Sequence, residues 1–363
     1  MQHGVVLPLR TIHSRVRGEL AALVLVWIAW LVVMTGTNLA TPLYAVYAAR
    51  FGFSNLVLTA IFAAYAIVLM PALLLFGRLS DRFGRRPVMF AGLLVACGGL
   101  ALFAAAQGTV WLVGARVLQG LAVGMISGPA TAALVEFDPR RDEQRPALLA
   151  GLAQAGGSGA GPLVAGALAE WAPAPRQLAF LLLLGLVLAA AAATLMLPEP
   201  AAEEREPWRI QWPRVPPELR LDFARVSLTA AIVWGSVALC LSIVPSYARQ
   251  LLQTHNLALV GALAAGALAA SCVTQIVSQR ARLPLQRAQA AGLALLAAGL
   301  VALVVAWPTH SLAVLLAGSL AIGAGHGGAF LSAQDELNRI APRRRRGEVT
   351  SAFISCIYLV VAT

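Results

Sequence analysis

The sequence predicts an all-α membrane protein built as two pseudo-symmetric six-helix bundles, with ten full spans and part of an eleventh in view. Three observations carry that prediction. The 363 residues are 59% hydrophobic and only 12% charged, with a mean hydropathy of +0.78, which leaves too few charges to clothe a soluble domain of this length. The apolar residues fall into runs of about 20, the length that crosses roughly 30 Å of hydrocarbon as a helix. The chain also matches itself at an offset of 203 residues, pairing Pro42 with Pro245, Tyr44 with Tyr247, Gly120 with Gly323, Gly124 with Gly327, Pro139 with Pro342, Arg140 with Arg343 and Arg141 with Arg344. One offset serving equivalent places in two halves marks a duplicated unit.

Taken in order, residues 1–20 carry Arg10, Arg15 and Arg17 ahead of an apolar run with no small-residue cleavage site. They read as an N-terminal cytoplasmic tail and not as a cleaved signal. Spans are expected at 21–46, 56–77, 88–107, 109–135, 147–169 and 177–197, which together make a first bundle over 21–197. The stretch 198–222, with Glu203, Glu204, Glu206 and several prolines, reads as a cytoplasmic linker. Spans at 223–247, 256–279, 286–306 and 309–334, and an eleventh beginning near Val349, make a second, incomplete bundle over 223–363. By the offset this unit would close near residue 400, so most of span 11 and all of span 12 are expected beyond Thr363.

The charges set the orientation. All 27 basic residues are arginine; with the N-terminus cytoplasmic, 23 lie on the cytoplasmic side, Arg50, Arg176 and Arg249 face out, and Arg116 is left inside the membrane. The reverse topology would invert that bias, so the positive-inside rule predicts a multi-pass protein of the inner (plasma) membrane with a cytoplasmic N-terminus. The net charge of +11 is therefore topological and predicts no nucleic-acid partner. Cys97, Cys240, Cys272 and Cys356 lie far apart in apolar segments, with no metal-ligand spacing and no disulfide pattern. No nucleophile constellation, metal cluster or phosphate loop appears, so no enzyme, cofactor or metal site is expected.

Four segments carry the functional signal. After span 2 the chain reads Gly77-Arg-Leu-Ser-Asp81-Arg82-Phe-Gly84-Arg85-Arg86. Gly77 permits close helix approach, Gly84 a tight turn, and Asp81 can pair with arginine or a helix N-terminus. A basic loop obeying the positive-inside rule would explain the arginines but not the glycines or Asp81. The related loop Ser278 to Arg287 keeps its arginines without Gly or Asp. Span 4 carries Arg116-Val-Leu-Gln119-Gly120. An arginine inside a span costs several kcal/mol, about 3 on insertion scales, so it orients a helix, a substrate group or a proton network, or else reaches for the nearby interface. Span 5 carries Gly157-Ser-Gly159-Ala-Gly161-Pro162-Leu-Val-Ala165-Gly166, a small-residue groove with a proline that invites a bend. Span 1 sets Trp27, Trp30, Met34, Thr37, Asn38 and Thr41 on one helical face, the mix that lines a cavity for amphiphiles or that anchors and packs a span. Tyr65, Gln154 and Trp234 are further cavity candidates, and His326, alone among glycines of span 10, reads first as a packed group.

The first of these segments resembles the loop 2-3 signature of the major facilitator superfamily, GxLaDrxGrkxxl. The span 4 segment is similar to that family's RxxQGxgaa motif, and the span 5 segment to its gxxxGPxxGG motif, with Ala165 in place of one glycine. The resemblance covers the whole visible chain. It implies a transporter moving a small molecule by alternating access, with the Gly77 to Arg86 cluster as a conformational latch and Arg116, Gln119 and Gly120 in transport or coupling. The span 5 motif implies the proton-exchanging export type, acting on drugs or other amphiphiles. A substrate, the bilayer and protons are the expected partners of a monomer. No Asp or Glu lies deep in a visible span, so the alternatives are a carrier for a sugar, amino acid or organic anion bound at Arg116, and then a transporter-like receptor or inactive relative.

Overall fold

A computed structural model describes residues 9–140, 145–198, 215, 217–281, 284–341, 349, 352–357 and 359. Among them the regular structure is entirely helical. Helix α1 spans Leu9–Asn38, α2 Tyr44–Phe51, α3 Asn55–Phe83, α4 Arg85–Ala104, α5 Thr109–Glu136, α6 Arg145–Trp171, α7 Leu178–Thr194, α8 Arg220–Leu252, α9 Leu257–Ala281, α10 Leu285–Thr309 and α11 Leu312–Ile340. Among the described residues eight helical segments are long and apolar enough to cross a membrane. Of the other two expected spans, α7 has 17 residues, and α6 is diluted by Gly, Ser, Gln and Pro. Residues 352–357 are helical, at the place of the eleventh span.

The expected boundaries shift where local chemistry rules. The tail does not stay loose, because α1 is already helical from Leu9. Span 1 breaks after Asn38, since Pro42 lacks the N–H that a continuing helix needs and heads a single 3-10 turn, Thr41–Leu43. Gly52 ends α2 at φ 66°, a left-handed conformation that glycine takes without strain. Gly84, at φ 99°, joins α3 to α4 with no loop at all, its N–H reaching Ser80 O at 3.0 Å. Helix α8 begins at Arg220, inside the expected linker, behind the short turn Pro217–Leu219 and with Asp222 in its first turn, where a carboxylate favours the positive helix end.

Small residues decide the packing, and they repeat. A Cβ on Gly120 would strike Tyr65 O, and one on Gly124 would strike Ala72, so α5 lies in backbone contact with α3. Gly323 and Gly327, their counterparts, bring α11 against Ala267 and Ser271 of α9 in the same way. On the other flank, a Cβ on Gly99 would meet Ala115 O at 3.2 Å, and one on Gly299 would meet Gly318 O at 2.7 Å. Gly92 likewise faces Ile126 as Gly292 faces Ala329. The α5/α11 partners keep the 203-residue offset while the α4/α10 glycines sit at 200, so the duplication survives with a three-residue slip between helices.

Helices α1 and α3 to α7 close around one apolar core that includes Trp30, Leu93, Leu100, Phe103, Ile126 and Phe180. Helices α8 to α11 build two smaller clusters, one of which takes in Val349, Phe353 and Ile357 from the eleventh span. The halves meet along α6 and α9.

Candidate functional site: the Arg116 network and the seam between halves

The break in span 1 leaves the last carbonyls of α1 without intrahelical partners, as every helix end does. Helix α5 supplies the missing donors. Arg116 Nη1 donates to Thr37 O at 2.7 Å and to its neighbour Gln119 Oε1 at 3.1 Å, while Gln119 Nε2 donates to Gly36 O at 2.7 Å. The guanidinium thus sits at the negative end of the α1 dipole. It does not reach for the membrane surface, for Arg116 is 3% exposed. Its Cζ lies 4.7 Å from the Phe62 ring centroid, 5.4 Å from Tyr65 and 5.8 Å from Tyr44. Such cation–π contacts are worth about 0.5–2 kcal/mol each when desolvated. Among the described residues no carboxylate pairs with Arg116, and Arg116 Nε and the Tyr44 hydroxyl are both buried without a hydrogen-bond partner. Thr37 Oγ1 bonds Met34 O at 2.6 Å and lies 3.5 Å from Ser158 Oγ on α6. Thr37 and Gln119 line a cavity of about 10 Å³, room for about one water.

The second repeat brings the counterpart positions together without a charge. Ser319, the counterpart of Arg116, bonds Cys240, the counterpart of Thr37, at 3.3 Å. The same two positions therefore meet in both halves, through a backbone carbonyl in the first and a cysteine sulfur in the second, and the charge belongs to the first alone.

Helix α6 lies between α1 and α9. A Cβ on Gly157 would land 2.6 Å from Leu31 O, and one on Gly161 would strike Thr35 O, both on α1. On the opposite face Gly166 meets Leu257 O, and Gly261 meets Pro162 O, so α6 and α9 touch backbone to backbone. Glu170 Oε2 accepts from Leu257 N at 2.8 Å at one end of this seam, and Gly151 faces Gln275 Oε1 at the other. Helix α6 continues unbroken through Pro162.

Of the latch candidates, Gly84 makes the expected turn. Arg85 joins Ser80 Oγ at 2.9 Å to Glu136 of α5 at 3.2 Å, and Arg82 lies exposed over Phe83, 5.5 Å from its ring centroid. Arg86 is half-buried at the start of α4. The surroundings of Gly77 and the side chain of Asp81 lie outside what the structure describes. Of the cavity candidates, Thr37 and Tyr65 join the Arg116 network. Trp30 is buried in the first core, and Asn38 and Gln154 are half-buried on α1 and α6.

Trp234 stands elsewhere. It packs edge-on to His326 with ring centroids 4.6 Å apart and to Phe330 at 5.6 Å. Sequence reasoning named Trp234 and His326 singly but passed over their partners Ser271 and Gln275, which lie four apart and so on one face of α9. It also passed over Glu336, which the longer α11 draws into the helix. There it pairs with Arg225 of α8 and accepts from Gln289 Nε2 at 2.5 Å. Among the described residues no group of His, Cys, Asp and Glu could hold a metal ion.

Two duplicated helical bundles meeting at a glycine-lined seam define a class of multi-pass membrane transporters. The chain belongs to the Major Facilitator Superfamily, whose family model matches residues 26–363. Among solved structures it is similar to the human organic anion transporter MFSD10 (TETRAN), with 19% identity, a TM-score of 0.73, and coverage of 95% of this chain and 91% of that one. It is also similar to the proton:xylose symporter XylE bound to 6-bromo-6-deoxy-D-glucose, with 14% identity, a TM-score of 0.73, and coverage of 94% and 86%. At these identities the likeness is one of fold. No curated protein matches the chain significantly in sequence.

Proposed function

We propose that this transporter exports small amphiphilic molecules in exchange for protons, by alternating access, as a monomer of the inner (plasma) membrane with its N-terminus in the cytoplasm. The moving bodies are the bundle over 21–197 and the bundle that opens with α8, tied by the linker that runs from residue 198 up to α8. The observation that carries this reading is the packing of α6. Its groove residues Gly157, Gly161, Pro162 and Gly166 press on α1 of their own half and on α9 of the other. A helix in backbone contact on both sides transmits any rocking of one bundle against the other, and the motif it carries resembles that of proton-exchanging exporters. The Gly77 to Arg86 cluster is the latch of this cycle, with Arg85 tied to Glu136. No enzymatic step is part of it.

A second reading, carriage of an organic anion, is favoured by one observation: Arg116 is a buried cation with no carboxylate partner among the described residues and with Nε free, and charge-assisted bonds to guanidinium are strong and directional.

The test is retention of fluorescent cationic dyes in cells expressing the protein, with and without a protonophore, against an Asp81→Asn control. Export reads out as lower retention, abolished by both the protonophore and the substitution. Retention equal to that of empty cells, with the protein present in the membrane, overturns amphiphile export in favour of the anion carrier.

A further inference from the structure

A proton-driven exporter needs a group inside the membrane that gains and loses a proton. Among the described residues no Asp or Glu lies in the middle of a membrane-spanning stretch, Glu336 near the end of α11 is already paired with Arg225, and arginine stays protonated throughout. One imidazole does lie there. His326 sits mid-way along α11 with no exposed surface, between Gly325, which brings α10 to backbone contact, and Gly327, which does the same for α9.

Its surroundings hold a hydrogen-bond chain that ends at the seam. Ser271 Oγ lies 2.8 Å from His326 Nδ1, and Gln275 Nε2 donates to Ser271 Oγ at 3.2 Å. A hydroxyl in that place serves both states of the ring. It donates to Nδ1 of the neutral imidazole and, by rotating, accepts from Nδ1–H of the imidazolium. The far end of the chain, Gln275 Oε1, is buried without a partner, and so are His326 Nε2 and Trp234 Nε1. Three unpartnered polar atoms around one titratable ring are costly in an apolar interior, and such departures concentrate at functional sites. Gln275 Oε1 lies where a Cβ on Gly151 would fall, on the α6 side of the seam. Parting α9 from α6 therefore opens Gln275 first, then Ser271 and the ring, to water.

Resting on the proton-exchange reading above, we propose that His326, wired through Ser271 to Gln275 at the α6–α9 seam, is the group that carries the coupled proton. The proton binds the imidazole when the seam is open to one side and leaves as a proton to the other, with no other bond made or broken. From the packed elements, α8 presents Trp234 and α9 presents Ser271 and Gln275, none of them charged. Cys272, next to Ser271 on α9, faces Gly156 on α6. The nearest carboxylates along α11, Asp335 and then Glu336 in its pair with Arg225, lie nine and ten residues from His326, about 14 and 15 Å at the helical rise.

The proposal is tested without a substrate, by tryptophan fluorescence of the full chain in lipid nanodiscs titrated between about pH 4.5 and 9, the range in which histidine changes charge. The signal of Trp234 is the difference between wild type and Trp234→Phe, because protonated histidine quenches an indole in contact. The expected result is a sigmoidal pH dependence that His326→Gln abolishes. Ser271→Ala, which removes the acceptor for the imidazolium, shifts the midpoint down by about one pH unit, a tenfold weaker hold on the proton; this variant decides the matter if His326→Gln does not fold. A flat difference signal, or one that survives His326→Gln, overturns the proposal. Proton-driven dye export alongside a flat signal would put the coupled proton on another group. A titrating His326 without dye export would instead overturn the export reading alone.

Discussion

Replacing Gly261 by alanine tests whether α6 and α9 separate in the transport cycle. A Cβ built there meets Pro162 O, comes within 3.0 Å of Pro162 C and lies 3.3 Å from Gly166 Cα, all of them backbone. No side chain can rotate away, so α9 must withdraw from α6 by about half an ångström to an ångström. Overpacking of this kind costs about 1–3 kcal/mol. Alanine also favours a helix interior over glycine by about 1 kcal/mol, but that gain is equal whether the seam is closed or open and cancels in the ratio. The clash exists only when the seam is closed. The equilibrium should therefore move toward the open form by about 5–150-fold. The half-buried Cys272, whose Sγ would lie 3.7 Å from a Cβ on Gly156 across the seam, reports the change. With Cys97, Cys240 and Cys356 replaced by alanine, its rate of alkylation by a water-soluble maleimide should rise by that factor. Gly185→Ala is the control, because nothing lies within 4 Å of its added Cβ. An unchanged rate in folded Gly261→Ala would refute the reasoning, since it would mean that the seam does not part or that the backbone absorbs the methyl elsewhere.

Other perturbations have equally definite outcomes. Arg116→Gln leaves Thr37 O short of its donor and should lower thermal stability in detergent by about 1–3 kcal/mol. Arg116→Lys restores the charge at the end of α1 but not the planar fork; transport equal to that of wild type in Arg116→Lys would exclude specific anion recognition there. Gly84→Ala forces an L side chain to φ 99° and should cost about 1–3 kcal/mol in the same melt, whereas Gly108→Ala, with open space and an extended backbone, should cost far less. Glu136→Gln breaks the pair with Arg85, which is partly exposed on both sides. It should change stability by no more than about 1 kcal/mol, so a large loss of dye export with an unchanged melt would assign that pair to the latch.

Much of the architecture was legible because a bilayer leaves few choices. Apolar runs of the right length must be helices, so the spans could be placed to within a few residues. Boundaries slipped where a local device outranked hydropathy: Pro42 divided span 1, Gly84 removed a loop, and α8 began before the apolar run did. The offset of 203 was also legible, though not its three-residue slip in α10, because the glycines that reveal it are recognisable only once their partners across the interface are known.

The candidate site divided in the same way. Arg116, Gln119 and Gly120 stood out because a buried charge and paired glycines are conspicuous in an apolar run. That Arg116 binds the carbonyl of Thr37 was not legible, since backbone acceptors leave no mark in a sequence. His326 looked ordinary for the complementary reason: its meaning lies in Ser271, Gln275 and Trp234, which come from two other helices. Composition and periodicity are sums over one segment at a time, and by themselves they determined that this chain is a duplicated, helical membrane protein. Which atoms face one another across α1, α5, α6, α9 and α11 depends on helix rotation and approach. Those are set by backbone contact at a few glycines, and only the tertiary structure decided them.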